Sequence, residues 1–378
     1  MKSPLLLLAV SLLALLGLTI SYPSYHTPYG SNTLGIASRI YVLSLPRRED
    51  RRASMEYLRL ALDLDWRYVG AFGEDNASAS SASAQNPSTV PLPDYRFSWP
   101  DDLDSLADSE VPLSRSGSDD WSIYSDAEVS HLHPTAPVSA LSQPPLACAT
   151  ENLAIPRNET SADDLPPYLQ LTPAKIACWH SHLEILRAVA ASGHDSGPAV
   201  VLEDDVDIEW DIGKRLNEVW SALPDDWDIV FLGHCWSDES QYLPLRTIST
   251  VSYHHNRGPK LFPYSFGVPF RTETALHPSV APKCTHAYVV SHTGARRILL
   301  HLRHLPFAYS RAIDQALAWL ISSGRLKSFS VVPSLVVQRK VGKSDVWTKD
   351  GDGSGSRWRD HLGDGVLKGK SSWAKTGP

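Results

Sequence analysis

The run from Ala199 to Asp211 constrains the fold of this chain more than any other stretch, because an apolar segment ends abruptly in carboxylates. Ala199 to Leu202 has the composition of a buried strand. The acidic residues that follow are Glu203, Asp204, Asp205, Asp207, Glu209 and Asp211. Like charges this close repel one another, so a positive group is expected beside them. In open α/β sheets, ligands bind beyond the carboxyl ends of the strands, which is where these carboxylates would lie.

The order of strand-like and helix-like segments favours an α/β fold. Arg39 to Leu45 predicts a strand, Glu49 to Leu62 a helix, and Trp66 to Phe72 a second strand. Thr172 is a suitable N-cap for a helix that ends near Gly193. The later segments predict strands at 227–233, 285–291 and 329–333, and helices within 293–303 and 311–324. We therefore expect a mixed or parallel sheet flanked by helices.

Composition divides the chain into one domain and several flanking or inserted segments. We expect the domain to span 39–338, interrupted by an insertion at 73–165 that is rich in Ser, Ala, Pro and Asp. Such a segment buries too little apolar surface to offset its ordering entropy, so we expect it to be disordered. Residues 22–38 read as a linker and 339–378 as a flexible tail.

The amino terminus predicts entry into the secretory pathway. Lys2 precedes the charge-free run Pro4 to Ile20, so residues 1–21 read as a signal peptide or a short signal anchor. An uncleaved segment would make a type II membrane protein of the endoplasmic reticulum or Golgi, and a cleaved one a secreted protein. Sequons at Asn76 and Asn158 agree with that compartment. The four cysteines, Cys148, Cys178, Cys235 and Cys284, allow up to two disulfides.

Charge and spacing indicate a site for a divalent cation and phosphate. The formal net charge of −7 does not suggest a nucleic-acid partner. Glu203, Asp204 and Asp205 offer oxygen ligands to Mg²⁺ or Mn²⁺, which usually bind one or two carboxylates together with phosphate oxygens. The alternative is a solvated acidic loop. A second cluster, Arg47, Arg48, Arg51 and Arg52, meets the start of a predicted helix and would suit an anionic phosphate. Asp50 could cap that helix or orient an arginine, and an exposed basic face is the alternative.

Two further side chains are candidates for catalysis. His182 stands four residues after Cys178, a zinc-like spacing without a second ligand pair, so an active-site role or a buried structural histidine is favoured over zinc. Asp314 is a carboxylate among apolar residues and could act as a base or form a salt bridge with Arg311 or another neighbour. The segment 350–361 imitates a calcium loop, but its twelfth position is His361 and not a bidentate Glu.

Taken in order, six segments resemble glycosyltransferase family 25, the lipopolysaccharide-type glycosyltransferases and collagen galactosyltransferases. They are IYVLSLPRREDRR, LTPAKIACWHSHLEIL, VVLEDDV, WDIVFLG, THAYVVSHTGARRIL and AIDQAL. The resemblance implies a GT-A-type nucleotide-binding fold that uses a UDP-sugar and Mn²⁺. It implies metal binding at Glu203 and Asp205, with Asp204 between them. The other positions it carries over are Arg47, Asp50 and Arg51 near the nucleotide, Ser181 and His182 in a Ser-His-Leu signature, and Asp314. Lys175 departs from the family, which usually has an acidic residue there.

With what the resemblance implies, the sequence predicts a metal-dependent glycosyltransferase of the secretory pathway. The resemblance implies an inverting transfer of a hexose, such as galactose, from a UDP-sugar to an acceptor hydroxyl. Asp314 is favoured over His182 as the general base. The acceptor could be a protein, a lipid or a glycan. The alternatives are a non-catalytic lumenal protein that binds nucleotide sugars and a metal-dependent phosphodiesterase.

Overall fold

The computed structural model describes residues 29–72, 99–111, 113, 172–253, 269–303, 307, 311–339 and 362–367. The apolar run Pro4 to Ile20, both sequons, Cys148 and the calcium-like segment lie outside these residues. Within them, none of the helices combines the length and apolar character that crossing a bilayer requires.

The described residues form ten strands and six α-helices. The strands are β1 (Arg39–Ser44), β2 (Arg67–Gly70), β3 (Ala199–Glu203), β4 (Val206–Ile208), β5 (Ile229–Cys235), β6 (Arg246–Tyr253), β7 (Pro269–Pro278), β8 (Lys283–Val290), β9 (Ser328–Val332) and β10 (Val336–Gln338). The helices are α1 (Glu49–Ala61), α2 (Leu103–Asp108), α3 (Pro173–Ala191), α4 (Ile212–Trp220), α5 (His292–Leu302) and α6 (Ile313–Ser322).

Eight strands form one mixed sheet in the order β2-β1-β3-β8-β5-β9-β7-β6. β1 is parallel to both β2 and β3, whereas β8 runs antiparallel to its neighbours β3 and β5. The amino end of β8 therefore lies at the same edge as the carboxyl ends of β3 and β5. β4 and β10 form a separate antiparallel pair that follows directly from β3.

Helices cover both faces of this sheet, and alternate residues of β3 show how. Val201 points to the face covered by α3, α5 and α6, where Trp179 and Leu317 are buried. Val200 and Leu202 point to the opposite face, where Met55 of α1 belongs to the core. Because both faces of β3 are buried, its sequence is continuously apolar, and its charges can begin only where the strand reaches the sheet edge.

The predicted α/β class is confirmed. Each strand and helix predicted from the sequence is present within a few residues of its expected limits, and Thr172 caps α3 by accepting from the Lys175 amide at 3.3 Å. The sequence reading did not anticipate β4, β6, β7, β10, α2 or α4.

Two segments expected to be disordered contain packed residues. α2 lies within the 73–165 insertion, and its Asp108 pairs with Arg297 of α5. Nearby, the ring of Trp99 makes an edge contact with that of His301, with ring centroids 4.5 Å apart. Residues 362–367, within the expected tail, also pack onto the domain, with Val366 and Leu367 almost completely buried. In both segments a few apolar side chains gain enough buried surface to fix the chain locally.

Gly233 of β5 should be intolerant of any side chain. A Cβ atom there would lie 2.0 Å from the Val336 carbonyl oxygen and 2.4 Å from His286 Nε2. We expect Gly233→Ala to lower the free energy of unfolding by about 3 kcal/mol, because the obstructing atoms belong to a packed strand pair and cannot move freely. Gly213→Ala in α4 is the matched control, since nothing lies within 4 Å of its Cβ position. Urea unfolding should show the control unchanged or slightly more stable, and equal effects at both positions would contradict the packing argument.

Candidate active site

The acidic turn, defined as Glu203, Asp204 and Asp205, lies where β3 ends and the chain turns into β4. Asp204 is 6% exposed. The side chains of Glu203 and Asp205 are 25% and 14% exposed. Three neighbouring carboxylates are thus largely withdrawn from water, which is unfavourable unless other groups compensate their charges.

Arg51 of α1 supplies part of that compensation. Its Nη1 lies 3.0 Å from Asp204 Oδ1 and 3.4 Å from Asp205 Oδ2. The placement follows from the parallel pairing of β1 with β3, which brings the start of α1 beside the acidic turn. The guanidinium therefore bridges two of the three carboxylates.

The other predicted groups of the arginine cluster lie elsewhere. Asp50 is exposed and accepts from Arg48 Nε at 3.0 Å, an interaction that lowers the Asp50 pKa to about 2. Arg52 Nε donates to Ser44 Oγ at 3.0 Å, which links α1 to the end of β1. Arg47 is exposed to solvent. The structure thus brings Arg51 to the acidic turn, whereas Asp50 orients Arg48.

His182 is buried beneath Glu203. Its Nε2 lies 3.5 Å from Glu203 Oε1, and its Nδ1 lies 3.1 Å from the Tyr288 hydroxyl. Because an ionised carboxylate can only accept, we assign the proton to Nε2, so that the tyrosine hydroxyl can donate to Nδ1. His182 is therefore a buried, hydrogen-bonded histidine that contacts the acidic turn.

Glu203 is held ionised by this arrangement. Burial opposes ionisation, but His182, His286 and Thr285 favour it more strongly and keep the pKa of Glu203 below its usual value. The Thr285 hydroxyl donates to Glu203 Oε1 at 2.8 Å from the adjacent antiparallel strand β8.

The pKa of Asp205 is shifted in the opposite direction. Burial and the charge of Glu203 raise its pKa to about 7, and Arg51 offsets only part of that effect. Oδ2 accepts from Gln338 Nε2 at 3.2 Å, and the Arg339 amide donates to the backbone oxygen. Oδ1 is buried and has no hydrogen-bond partner among the described residues. The acidic turn therefore presents one uncompensated carboxylate oxygen, the feature that a bound cation would satisfy.

Asp314 joins the same site from α6. Its Oδ2 accepts from the Cys284 amide at 3.3 Å and its Oδ1 from the Gln315 amide at 2.8 Å. Burial raises the pKa of Asp314, and the charge of Glu203 adds to the shift. Contacts with two backbone amides, and not a salt bridge to Arg311, thus define its position.

A disulfide lies at the edge of the site. Cys235 at the end of β5 is bonded to Cys284 of β8, with a Cα–Cα distance of 5.6 Å. His286 lies close to both sulfur atoms. Cys178 is a free thiol, and burial together with the charges of Glu203, Asp314 and Asp205 raises its pKa. Cys178 therefore borders the acidic turn, but the described residues do not provide the second ligand pair that zinc would need.

Sequence reasoning missed several contributors, namely Thr285, Tyr288, His286, Gln338 and the Cys235–Cys284 disulfide. Thr285 and Tyr288 lie within a segment that reads as a strand and belongs to the resemblance, but no local pattern assigns a role to either side chain. Gln338 reaches Asp205 across a sequence separation of 133 residues, and no local pattern signals such a contact.

The sequence profile of the family described as "Glycosyltransferase family 25 (LPS biosynthesis protein)" matches residues 159–316. The match includes the acidic turn, His182 and Asp314, and it excludes β1 and α1 with Arg51. No curated protein matches the chain. The similarity supports glycosyltransferase activity in general, and with it a nucleotide-sugar donor and an acceptor, and the mixed α/β sheet is consistent with a glycosyltransferase domain.

The hydrogen bond between Thr285 and Glu203 predicts that the contribution of Thr285 to the free energy of unfolding depends on pH. Thr285→Val should lower the free energy of unfolding by roughly 2 kcal/mol at neutral pH, because the hydroxyl donates to a buried charged group. The Glu203 pKa is lowered in the folded state, so this stabilisation is present above the usual value of 4.5 and is lost as the pH falls through the folded-state pKa. Urea unfolding between pH 3.5 and pH 7 would measure it.

Thr250→Val is the matched control, because the buried Thr250 hydroxyl on β6 has no hydrogen-bond partner among the described residues. We expect its stability to be unchanged or increased. A Thr285→Val effect that persists at acid pH would show that packing and not the charged hydrogen bond is responsible.

Proposed function

We propose that this protein transfers a hexose from a UDP-sugar to an acceptor hydroxyl, with Mn²⁺ or Mg²⁺ bound at the acidic turn. The observation that supports this most directly is the buried, unpartnered Oδ1 of Asp205 beside Glu203 and Asp204. If these carboxylates had only a structural role, that buried oxygen would be expected to accept a hydrogen bond from the protein. The family similarity over the same residues agrees with this chemistry.

The residues fit a hard divalent cation. Asp205, assisted by Glu203 or Asp204, offers carboxylate oxygens, and such ions complete their coordination with phosphate oxygens and water. When bound, the ion would neutralise negative charge on the leaving diphosphate. The fit is supported by the buried Oδ1 of Asp205, which no donor of the described residues contacts, and burial also raises the pKa of this carboxyl.

The arginines would bind the rest of the diphosphate. Arg51 already contacts Asp204 and Asp205, so a nucleotide bound to it would be held next to the acidic turn. Arg47 is exposed at the same end of α1 and could contact the nucleotide, with Asp50 keeping Arg48 oriented. These groups would supply orientation as well as charge.

Asp314 is our choice of general base. His182 is engaged by Glu203 on one side and Tyr288 on the other, so its proton positions are already used. Asp314 is bonded only to backbone amides in the contacts described above, and its raised pKa strengthens it as a proton acceptor. It would accept the proton of the acceptor hydroxyl, while His182 would keep Glu203 ionised.

We place this activity in the lumen of the secretory pathway. The Cys235–Cys284 disulfide supports an oxidising compartment, since structural disulfides are rare in the cytosol of most organisms. The apolar run Pro4 to Ile20 would be the signal peptide or the anchor in the Golgi or endoplasmic reticulum membrane.

Asp205→Asn should abolish metal-dependent activity. We expect wild-type protein to release UDP from one member of a panel of UDP-sugars in the presence of Mn²⁺, and to lose this activity in chelator. In the variant the Mn²⁺-dependent gain should fall by at least about 100-fold, because a neutral amide replaces the carboxylate that would neutralise the cation. Asp211→Asn is the control from the same acidic run, since Asp211 pairs with Arg215 away from the turn.

The same panel distinguishes the alternatives. Mn²⁺-dependent UDP binding without turnover, measured with simple glycoside and peptide acceptors present, would favour a non-catalytic nucleotide-sugar-binding protein. Hydrolysis of a chromogenic phosphodiester would favour a metal-dependent phosphodiesterase. Full activity of Asp205→Asn in chelator would overturn the metal assignment.

Asp314→Asn should separate catalysis from donor binding. We expect kcat to fall roughly 100-fold or more, since a positioned base is removed, while UDP still binds in the presence of Mn²⁺. In wild-type protein, kcat should fall as the pH drops through the raised pKa of Asp314, because the protonated base cannot accept a proton. His182→Gln should instead weaken Mn²⁺-dependent UDP binding, because Glu203 loses its partner. The reverse pattern would make His182 the base.

A further inference from the structure

Trp236 follows the last residue of β5 and is 57% exposed, which is unusual for the largest apolar side chain. Its backbone adopts the left-handed conformation, with φ at 55°. A bulky residue adopts this conformation at an energetic cost, and residues held in this way cluster at functional sites. The fold therefore tolerates an unfavourable backbone conformation at a position where the indole ring is exposed to solvent.

The backbone on both sides of Trp236 is fixed. Before it, Cys235 is bonded to Cys284 of β8. After it, Ser237 donates to the buried Glu239 at 2.7 Å, and Glu239 also accepts from the Val280 amide at 3.1 Å. A loop anchored to β8 and to the segment before it holds the Trp236 backbone in place, which lowers the entropic cost of ordering the loop when a ligand binds.

Trp236 also lies on the Asp314 side of the candidate active site. β5 is two strands from β3, and the pairing registers offset Trp236 from Glu203 by about four residues along β8, so their backbones lie roughly 16 Å apart. Cys284, the disulfide partner of the residue before Trp236, donates its amide to Asp314. The indole is therefore on the Asp314 side of the acidic turn, whereas Arg51 is on the β1 side.

We propose that Trp236 is a stacking platform for a pyranose ring of the acceptor, so that the acceptor is a glycan or a glycoside. This inference rests on the proposed function, and it adds the class of acceptor. An aromatic face is electron-rich and attracts the polarised C–H bonds on one face of a sugar ring. The hydroxyl edges of the same ring would meet polar groups nearby, since Asp238 follows Trp236 by two residues and Lys283 pairs with Cys235, the residue before it.

The location assigns the platform to the acceptor and not to the donor. The diphosphate of the donor would lie between Arg51 and the acidic turn, on the β1 side of β3. The acceptor hydroxyl must reach Asp314, and Asp314 is bonded to the strand that the disulfide joins to Trp236. A sugar stacked on Trp236 would thus present a hydroxyl towards the base.

Saturation-transfer difference NMR tests this platform without requiring turnover. The whole chain would be mixed separately with the methyl glycosides of galactose, glucose, mannose and N-acetylglucosamine. We expect saturation of the ring C–H protons of at least one glycoside. Trp236→Ala should lower its affinity roughly fivefold, and Trp236→Phe should retain most of it, as expected for an aromatic contact. Leu243→Ala is the matched control, because Leu243 is exposed in the same connection between β5 and β6.

The proposal would be overturned if wild-type protein bound none of the four glycosides, or if Trp236→Ala bound them as well as the wild type. An equal loss in Leu243→Ala, or binding of a sugar-free serine peptide in place of the glycosides, would also contradict it. Circular dichroism would confirm that each variant is folded. Titration of the same protein with UDP and Mn²⁺ tests the donor site separately from the sugar platform. If the protein bound glycosides through Trp236 but did not bind UDP, the donor site would be refuted and the sugar platform would stand.

Discussion

The mutual repulsion of Glu203, Asp204 and Asp205 is the constraint on which the arrangement of this site depends. A strand buried on both faces delivers the three carboxylates to the sheet edge, so each must find a partner there or share its charge with a bound ion. Arg51 of α1 pairs with Asp204, while His182 of α3 and Thr285 of β8 contact Glu203. The buried charges of the acidic turn are therefore compensated only when three separate elements pack together. The stability of this short segment thus depends on the whole fold.

The acidic run serves two purposes that its sequence does not distinguish. Its first three carboxylates form the site, whereas Asp207 and Glu209 hold a distant segment in place. Asp207 accepts from the amide of Leu367 at 2.8 Å, and Glu209 accepts from the amide of Asp364 at 2.9 Å. The negative charges beyond the turn are thus satisfied by backbone donors, so they need no ion.

Much of this organisation could be predicted from the sequence, because local signals encode it. The apolar run of β3, the cap of α3 at Thr172 and the stripe that places Trp179 in the core all follow from periodicity and capping. The proximity of Arg51 to Asp204 follows from strand pairing. The contacts made by Gln338 and residues 362–367 could not be predicted, because they join segments far apart in sequence without a periodic pattern. Trp236 escaped notice because neither its exposure nor its positive φ leaves a sequence signature.

The antiparallel direction of β8 explains how the acidic turn, the proposed base and the proposed sugar platform come to share one edge of the sheet. If β8 were parallel to β3, its amino end would lie at the opposite edge of the sheet, and Thr285 could not reach Glu203. Its reversed direction also places Cys284 where one backbone amide binds Asp314 and the side chain fixes Cys235. Three consecutive positions of β8, from Lys283 to Thr285, thereby connect the acidic turn, the proposed base and the proposed sugar platform. A small displacement of this strand end would alter all three, so the disulfide and the close packing at Gly233 limit such movement where the chemistry requires fixed geometry.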